Sequence, residues 1–270
     1  DLAQLLCGSE GTLGIVTKVR LRLVTPPRQL VVALVPCSSV ASAVALAARL
    51  RSAVEGVRAL EVMVGDSLRR VADHLGVGLP VVGTSAGAYL LVEVGGWADP
   101  TEALQDALSE VSEAAVGTSR RDRERLWRFR EAHAEAAAAL ATEQGGVVHK
   151  LDVTLPIDAL AGFCAEVSAR LEQASPGAVV FLYGHVGDGN IHVNVVGPTA
   201  EDERIDDLVL GLVVERGGSI SAEHGIGVAK KRWLLRDRSA DEVATMRAIK
   251  TALDPDNILN PNALLPEIDS

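Results

Sequence analysis

The order of the predicted elements indicates an α+β fold, in which an antiparallel, ferredoxin-like sheet carries helices on one face. Strand-like and helix-like runs alternate between residues 29 and 115, and a similar alternation returns between residues 121 and 255. Hydrophobic residues make up 48% of the 270-residue chain, which is enough to bury a substantial core. Short strands faced by helices of this length are typical of a layered α+β domain.

The first half contains three predicted strands and three predicted helices. Ser38 and Ser39 are placed to cap an alanine-rich helix, and Asp99-Pro100 is a typical helix start. The predicted strands are QLVVALVPC (29–37), VRALEVMV (57–64) and GAYLLVEVGGW (87–97), and the predicted helices cover about 40–53, 65–76 and 99–115.

The second half begins with a long predicted helix, 121–146, that has a strongly polar start. Gly217-Gly218 is placed to end a later helix, and Ser239 to cap the last one. The other predicted helices are 156–174, 201–218 and 239–255, and the predicted strands are 147–156, a strand–turn–strand unit over 177–196, and 219–227.

Residues 1–26 do not belong to this pattern. Their alternating β-formers stop at Pro26-Pro27, which predicts the last strand of a preceding domain followed by a linker. The chain also opens without methionine, so we expect an N-terminal portion to precede it.

Composition excludes several classes of function. The net charge of −10 opposes non-specific binding to nucleic acid and to anionic membranes, and 3% aromatic residues disfavour a stacking platform for bases. No apolar run reaches the ~18 residues of a membrane span. Cys7, Cys37 and Cys164 lie far apart, which favours free thiols in a reducing compartment, interpreted here as the cytoplasm.

Histidines mark two glycine-flanked segments. His185 and His192 lie on either side of the turn in GHVGDGNIHVNVV (184–196), and Glu223-His224 lies in SAEHGIG. Two imidazoles and one carboxylate would form a three-ligand site for a divalent ion. Glu223 is the first carboxylate candidate and Asp188 is its competitor, which would leave His224 as an acid–base group. Spacing alone equally allows two solvated turns with structural histidines.

Four segments in a fixed order resemble one family. They are GSEGTLGIVT (8–17), GHVGDGNIHVN (184–194), AEHGIGVAK (222–230) and DPDNILNP (254–261). Together they resemble the FAD-linked oxidases with a vanillyl-alcohol-oxidase-type flavin domain, in the D-2-hydroxy acid dehydrogenase branch. The resemblance implies that 1–26 is the end of the FAD-binding domain and that 27–270 is the substrate, or cap, domain with a closing C-terminal segment.

The same resemblance implies a role for particular residues. His185, His192 and Glu223 match the ligands of a divalent metal such as zinc, and His224 matches the catalytic histidine. Arg130, Lys150 and Asn194 match substrate contacts, and a guanidinium can grip a carboxylate in two places. The residues that match the cofactor-binding segment, with their backbone facing FAD, are Glu10, Gly11, Thr12, Leu13, Gly14, Ile15 and Val16, and Asn260 matches a position near the flavin ring.

The sequence departs from the family pattern in two places. The hydroxyl residue that follows the arginine by four positions in the hydroxyglutarate branch is Ala134 here, which weakens the case for a substrate with a second carboxylate. Asn262-Ala263 replaces the usual Gly-Lys after Asn260-Pro261. The expected substrate is therefore lactate-like or glycolate-like.

The expected reaction is oxidation of a D-2-hydroxy acid to the 2-oxo acid, with FAD as hydride acceptor and a divalent metal in the site. We expect a further electron acceptor, a homodimer, and a chain that does not retain FAD by itself. Two alternatives stay open. One is a flavin-free metalloenzyme, and the other is a non-catalytic subunit of a multi-subunit glycolate-type oxidase.

Overall fold

A seven-stranded antiparallel sheet with the strand order β4-β1-β3-β2-β6-β7-β5 organises the chain. The computed structural model describes residues 1–81, 86–111, 113–197, 199 and 203–267. The strands are β1 Gln29–Cys37, β2 Val57–Val64, β3 Ala88–Gly96, β4 Ala115–Gly117, β5 Val147–Thr154, β6 Val179–His185 and β7 Asn190–Gly197.

Ten α-helices are described, together with one 3₁₀ helix at Lys231–Trp233. The α-helices are α1 Leu2–Leu6, α2 Val40–Ala53, α3 Gly65–Leu75, α4 Thr101–Ala107, α5 Arg120–Glu131, α6 His133–Gln144, α7 Ile157–Ala174, α8 Glu203–Glu215, α9 Leu234–Asp237 and α10 Ala240–Leu253. No helix in the described ranges is long and apolar enough to cross a membrane.

Two ferredoxin-like halves lie side by side in this sheet. The first half has the strand order β4-β1-β3-β2, and the second has β6-β7-β5. A single bridge between Thr154 and Ser219 stands where the fourth strand of the second half would lie. The halves join where β2 pairs with β6, through Glu61 opposite His185 and Met63 opposite Tyr183. The alternation predicted from the sequence is therefore confirmed in both halves.

The two faces of the sheet carry different helices. Helices α2, α4, α7 and α8 bury residues such as Leu50, Leu104 and Phe163 in one core cluster, on one face of the sheet. Helices α3, α5 and α6 cover part of the opposite face, around Phe129 and Phe181. The prediction of helices on one face therefore holds for the first group only, because the helices predicted over 65–76 and 121–146 lie on the other face.

Several predicted elements differ from the structure. The helix expected over 121–146 breaks at Ala132 into α5 and α6, and the helix expected over 99–115 ends at Ala107. The strand expected over 219–227 is reduced to the Ser219 bridge. The strand expected within residues 11–25 is not formed, and apolar side chains such as Ile15 and Leu23 are largely exposed there. A strand needs a hydrogen-bonding neighbour, and none of the described strands pairs with this segment.

All three cysteines are free, and they differ in burial. Burial raises the pKa of Cys37 to about 11 and that of Cys164 to about 12. Because the thiolate is the reactive form, we expect both thiols to resist alkylation in the folded protein at neutral pH. The exposed Cys7 provides the internal reference. Mass spectrometry of iodoacetamide-treated protein checks this prediction, and rapid native labelling of Cys164 would contradict the packing of α7.

Candidate active site

A tight hairpin between β6 and β7 places His185 and His192 on neighbouring strands. Only glycine fits at positions 184 and 189. A Cβ on Gly184 would lie 2.3 Å from the Asn190 carbonyl oxygen, and a Cβ on Gly189 would lie 2.1 Å from that of Leu155. Gly189 also has a positive φ of 70°, which favours glycine. The two imidazole rings lie 5.4 Å apart, centre to centre. The structure thus brings these two predicted ligands together, and Asp188 is an exposed residue of the turn.

His185 is oriented by a buried carboxylate. Its Nδ1 lies 2.5 Å from Glu61 Oε1, and its Nε2 lies 3.7 Å from Glu223 Oε1. A carboxylate only accepts, so the Nδ1 carries the hydrogen and Nε2 is left with its lone pair. The Glu61 hydrogen bond raises the pKa of His185 against the opposing effect of burial.

His192 faces a second buried carboxylate. Its Nδ1 lies 3.1 Å from Asp152 Oδ1, although that oxygen has no well-aligned hydrogen-bond donor among the described residues. Asp152 Oδ2 accepts from the backbone N–H groups of Glu223 and His224, at 2.6 and 2.9 Å. Burial opposes ionisation of Asp152, but His192 and these two N–H donors hold its pKa well below the usual range.

Asp152 therefore fixes the segment that contains both Glu223 and His224. The His224 ring stacks near that of His192, with a centre-to-centre distance of 6.0 Å. Asp152, His192 and His224 each offer one ligand atom within 4.8 Å of the others, so they could also hold a metal ion. Two overlapping ligand sets result, because the predicted set of His185, His192 and Glu223 shares His192.

Arg130 lies in the last turn of α5 and points at the same region. Its Nε donates to Glu61 Oε2 at 2.6 Å, and its guanidinium lies 4.6 Å from the centre of the Tyr183 ring. The side chain is 12% exposed, and its Nη1 and Nη2 have no partner among the described residues. They are the donors that could bind a carboxylate.

Asn194 and Lys150 lie opposite each other on β7 and β5. Asn194 is buried and donates to the Tyr183 hydroxyl at 2.9 Å, whereas the Lys150 side chain is exposed. Residues directly opposite in an antiparallel pair share a face, so both lie on the face of the Asp152–His192 pair. The structure thus places both predicted substrate contacts two residues along their strands from the Asp152–His192 pair.

Two of the predicted cofactor residues, Glu10 and Asn260, lie next to the loop that follows His224. The Glu10 carboxylate accepts from the backbone N–H groups of Ile226 and Gly227, both at 2.6 Å, and Asn260 Nδ2 donates to the Glu10 carbonyl oxygen at 2.7 Å. Thr12 is buried, whereas Ile15 and Val16 are exposed. The structure therefore brings Glu10, Asn260 and the His224 loop together, although they are far apart in sequence.

Sequence reasoning missed Glu61, Asp152 and Tyr183. Each of these two carboxylates stands between apolar neighbours within its strand, Glu61 in LEV (60–62) and Asp152 in LDV (151–153), and that position is the signal that could have found them. Their partners, however, are set by cross-strand register, since Glu61 is opposite His185 and Asp152 is opposite His192.

The chain is similar to curated proteins of known name. The chain is 35% identical over 285 residues to a D-2-hydroxyglutarate dehydrogenase of Xanthomonas citri pv. viticola, covering 100% of this chain and 58% of that protein. It is 33% identical to the mitochondrial D-2-hydroxyglutarate dehydrogenase of Bos taurus, covering 98% of this chain and 49% of that protein. The chain thus spans about half the length of the curated relatives it matches.

Solved structures show the same fold at low identity. An alkyldihydroxyacetonephosphate synthase superposes with a TM-score of 0.64 at 14% identity, covering 97% of this chain and 49% of the other. The 4-ethylphenol oxidase from Gulosibacter chungangensis gives 0.57 at 18% identity, covering 91% and 55%. The family profile "FAD linked oxidases, C-terminal domain" matches residues 26–264. The chain therefore belongs to the FAD linked oxidase family and contains its C-terminal domain.

Proposed function

We propose that the protein that contains this chain oxidises a D-2-hydroxy acid to the 2-oxo acid, with FAD as hydride acceptor. The family and the names of the relatives support this class of reaction. The observation that carries the proposal is the convergence of His185, His192 and Glu223 beside His224 and Arg130, which combines metal ligands, a base and a carboxylate-binding cation. That combination favours an enzyme over a non-catalytic subunit.

The residues fit a divalent metal. Each of His185 and His192 turns its Nδ1 toward a buried carboxylate, Glu61 or Asp152, and so leaves its Nε2 for coordination. Histidine ligands in metal sites usually have such an outer carboxylate partner. Glu223 would be the third ligand, since its carboxylate lies beside His185 Nε2. A metal bound there would polarise the substrate hydroxyl and make its proton easier to remove.

The remaining groups have roles that follow from their chemistry. Arg130 would bind the substrate carboxylate through Nη1 and Nη2, with Asn194 and Lys150 as further polar contacts. His224 would take the hydroxyl proton, and its backbone anchor to Asp152 holds it in place. FAD, when bound, supplies the two-electron acceptor for the Cα hydride. Residues 10–16 and Asn260 would contact FAD, and residues 1–26 would complete its domain.

The proposed substrate is a small D-2-hydroxy acid of the lactate or glycolate type. Ala134, in the first turn of α6, has no hydroxyl group to donate to a second carboxylate. D-2-hydroxyglutarate is the second candidate, since the curated relatives described above have that name.

Anaerobic reduction of the flavin in the full-length protein tests the proposal. We expect one or more of D-lactate, D-2-hydroxyglutarate and the achiral glycolate to bleach the oxidised flavin absorbance, and L-lactate and L-2-hydroxyglutarate not to do so. Treatment with a chelator should abolish bleaching, and added divalent metal should restore it. A colourless full-length protein that binds metal would favour the flavin-free metalloenzyme, and a flavoprotein that no hydroxy acid reduces would contradict the proposed substrate class.

A further inference from the structure

Glu61 lies at the seam between the two halves of the sheet. It is on β2, directly opposite His185 of β6, and it is only 3% exposed. A carboxylate at such a position requires compensation, because burial of an unpaired charge is strongly unfavourable. Nothing in the proposed reaction uses Glu61 directly.

Both oxygens of Glu61 are engaged, each by a different functional group. Oε1 accepts from Nδ1 of His185 at 2.5 Å, and Oε2 accepts from Nε of Arg130 at 2.6 Å. His185 comes from the hairpin of the second half, and Arg130 comes from α5, which follows the first half. One buried side chain therefore connects a proposed metal ligand with the proposed carboxylate-binding cation.

We infer that Glu61 is a positioning residue that sets the metal-binding face of His185 and the substrate-binding end of Arg130 at the same time. This inference rests on the proposed function. Because Oε1 takes the Nδ1 hydrogen, His185 presents Nε2 toward Glu223. Because Oε2 takes the Nε hydrogen and the guanidinium lies over the Tyr183 ring, Nη1 and Nη2 are left to donate to a substrate carboxylate.

The two contacts cannot be preserved by an amide. In Glu61→Gln the side chain has the same length but only one acceptor oxygen, and its NH₂ group would face a second donor. If the NH₂ group faces Arg130, the guanidinium must turn away. If it faces His185, the ring must turn or take the tautomer that carries its hydrogen on Nε2, where the metal would bind. In Glu61→Asp both acceptors are kept, but the shorter side chain cannot reach both donors at once.

The chain offers a matched control on the neighbouring strand. Glu93 of β3 also ties α5 to the sheet, since its Oε2 accepts from Nε1 of Trp127 at 2.9 Å and its Oε1 lies 3.5 Å from Nε of Arg58. It contacts neither His185 nor Arg130. Glu93→Gln therefore has the same chemical change and the same kind of packing disturbance without the proposed role.

The experiment compares the full-length holoenzyme with its Glu61→Gln, Glu61→Asp and Glu93→Gln variants. The first readout is the Kd for Zn²⁺, measured by calorimetry on metal-stripped protein, and the second is KM for the reducing hydroxy acid. Outer-shell partners are typically worth about 10–100-fold in metal affinity, so we expect Glu61→Gln to weaken Zn²⁺ binding by this factor. We expect KM to rise by about tenfold or more, because a charge-assisted contact is misplaced. Glu93→Gln should change neither value more than about twofold.

Each outcome decides the inference. A folded Glu61→Gln variant with the Kd and KM of the wild type would overturn it, and so would a Glu93→Gln variant with the same losses. If Glu61→Gln does not fold, the comparison is made with Glu61→Asp, for which both losses are also expected. If no hydroxy acid reduces the wild-type flavin but Glu61→Gln still weakens Zn²⁺ binding, the proposed function fails while the positioning of His185 stands.

Discussion

Replacement of His224 by alanine is expected to slow anaerobic flavin reduction by about 10²–10⁴-fold while the metal content stays that of the wild type. The reason for this separation is structural. The segment of Glu223 and His224 is held through backbone N–H groups that donate to Asp152, not through the imidazole. The alanine variant keeps both N–H donors, so the loop and the Glu223 carboxylate should stay in place while the proton acceptor is lost.

Stopped-flow spectroscopy of the full-length protein, with metal analysis of the same samples, measures both quantities. His74→Ala is the matched control, because that residue lies on α3 and pairs with Glu135 of α6, outside the site. We expect the control to reduce its flavin at nearly the wild-type rate. If the His224→Ala variant reduces its flavin at the wild-type rate, His224 is not the base. If the variant loses its metal as well, His224 is a metal ligand, in the set that it forms with Asp152 and His192.

The parts of the site that the sequence could predict are those encoded locally. The hairpin of β6 and β7 follows from glycines at Gly184 and Gly189 between two runs of strand formers, and a turn of that length necessarily brings His185 near His192. The pairing of Glu10 with Asn260 is different, because 250 positions separate them. Only the resemblance to a family linked those two positions, and no local pattern could have done so.

The residues that orient the site could not be identified without the strand register. Glu61 and His185 are adjacent because the two halves join edge to edge through β2 and β6, and the element order does not specify that join. A shift of one residue would turn Glu61 away from the histidine. The break at Ala132 is similar, since neither glycine nor proline marks it. Ala132 is fully buried and His133 packs on Tyr183, so tertiary contacts end α5 just after Arg130.

The second large effect is a loss of metal affinity when His185 is replaced. In His185→Ala we expect metal affinity to fall by at least the 10–100-fold typical of an outer-shell partner, because a direct ligand is removed. Asp188→Ala is the matched control, since Asp188 is exposed in the same hairpin turn and its backbone N–H already donates to the His185 carbonyl oxygen. The turn hydrogen bond survives that change, so the control should bind metal as the wild type does.

Together with Glu223→Gln, the His185→Ala variant also separates the two ligand sets that share His192. If the metal is held by His185, His192 and Glu223, both His185→Ala and Glu223→Gln lose it. If it is held by Asp152, His192 and His224, both variants keep it, since neither changes a ligand of that set. We expect the first result, because both oxygens of Asp152 already have partners. Its Oδ2 accepts from two backbone N–H groups, and its Oδ1 faces Nδ1 of His192. Asp152 would therefore orient the His192 ring and not coordinate the metal. Retention of stoichiometric zinc in His185→Ala would reverse these assignments and make Asp152 a direct ligand.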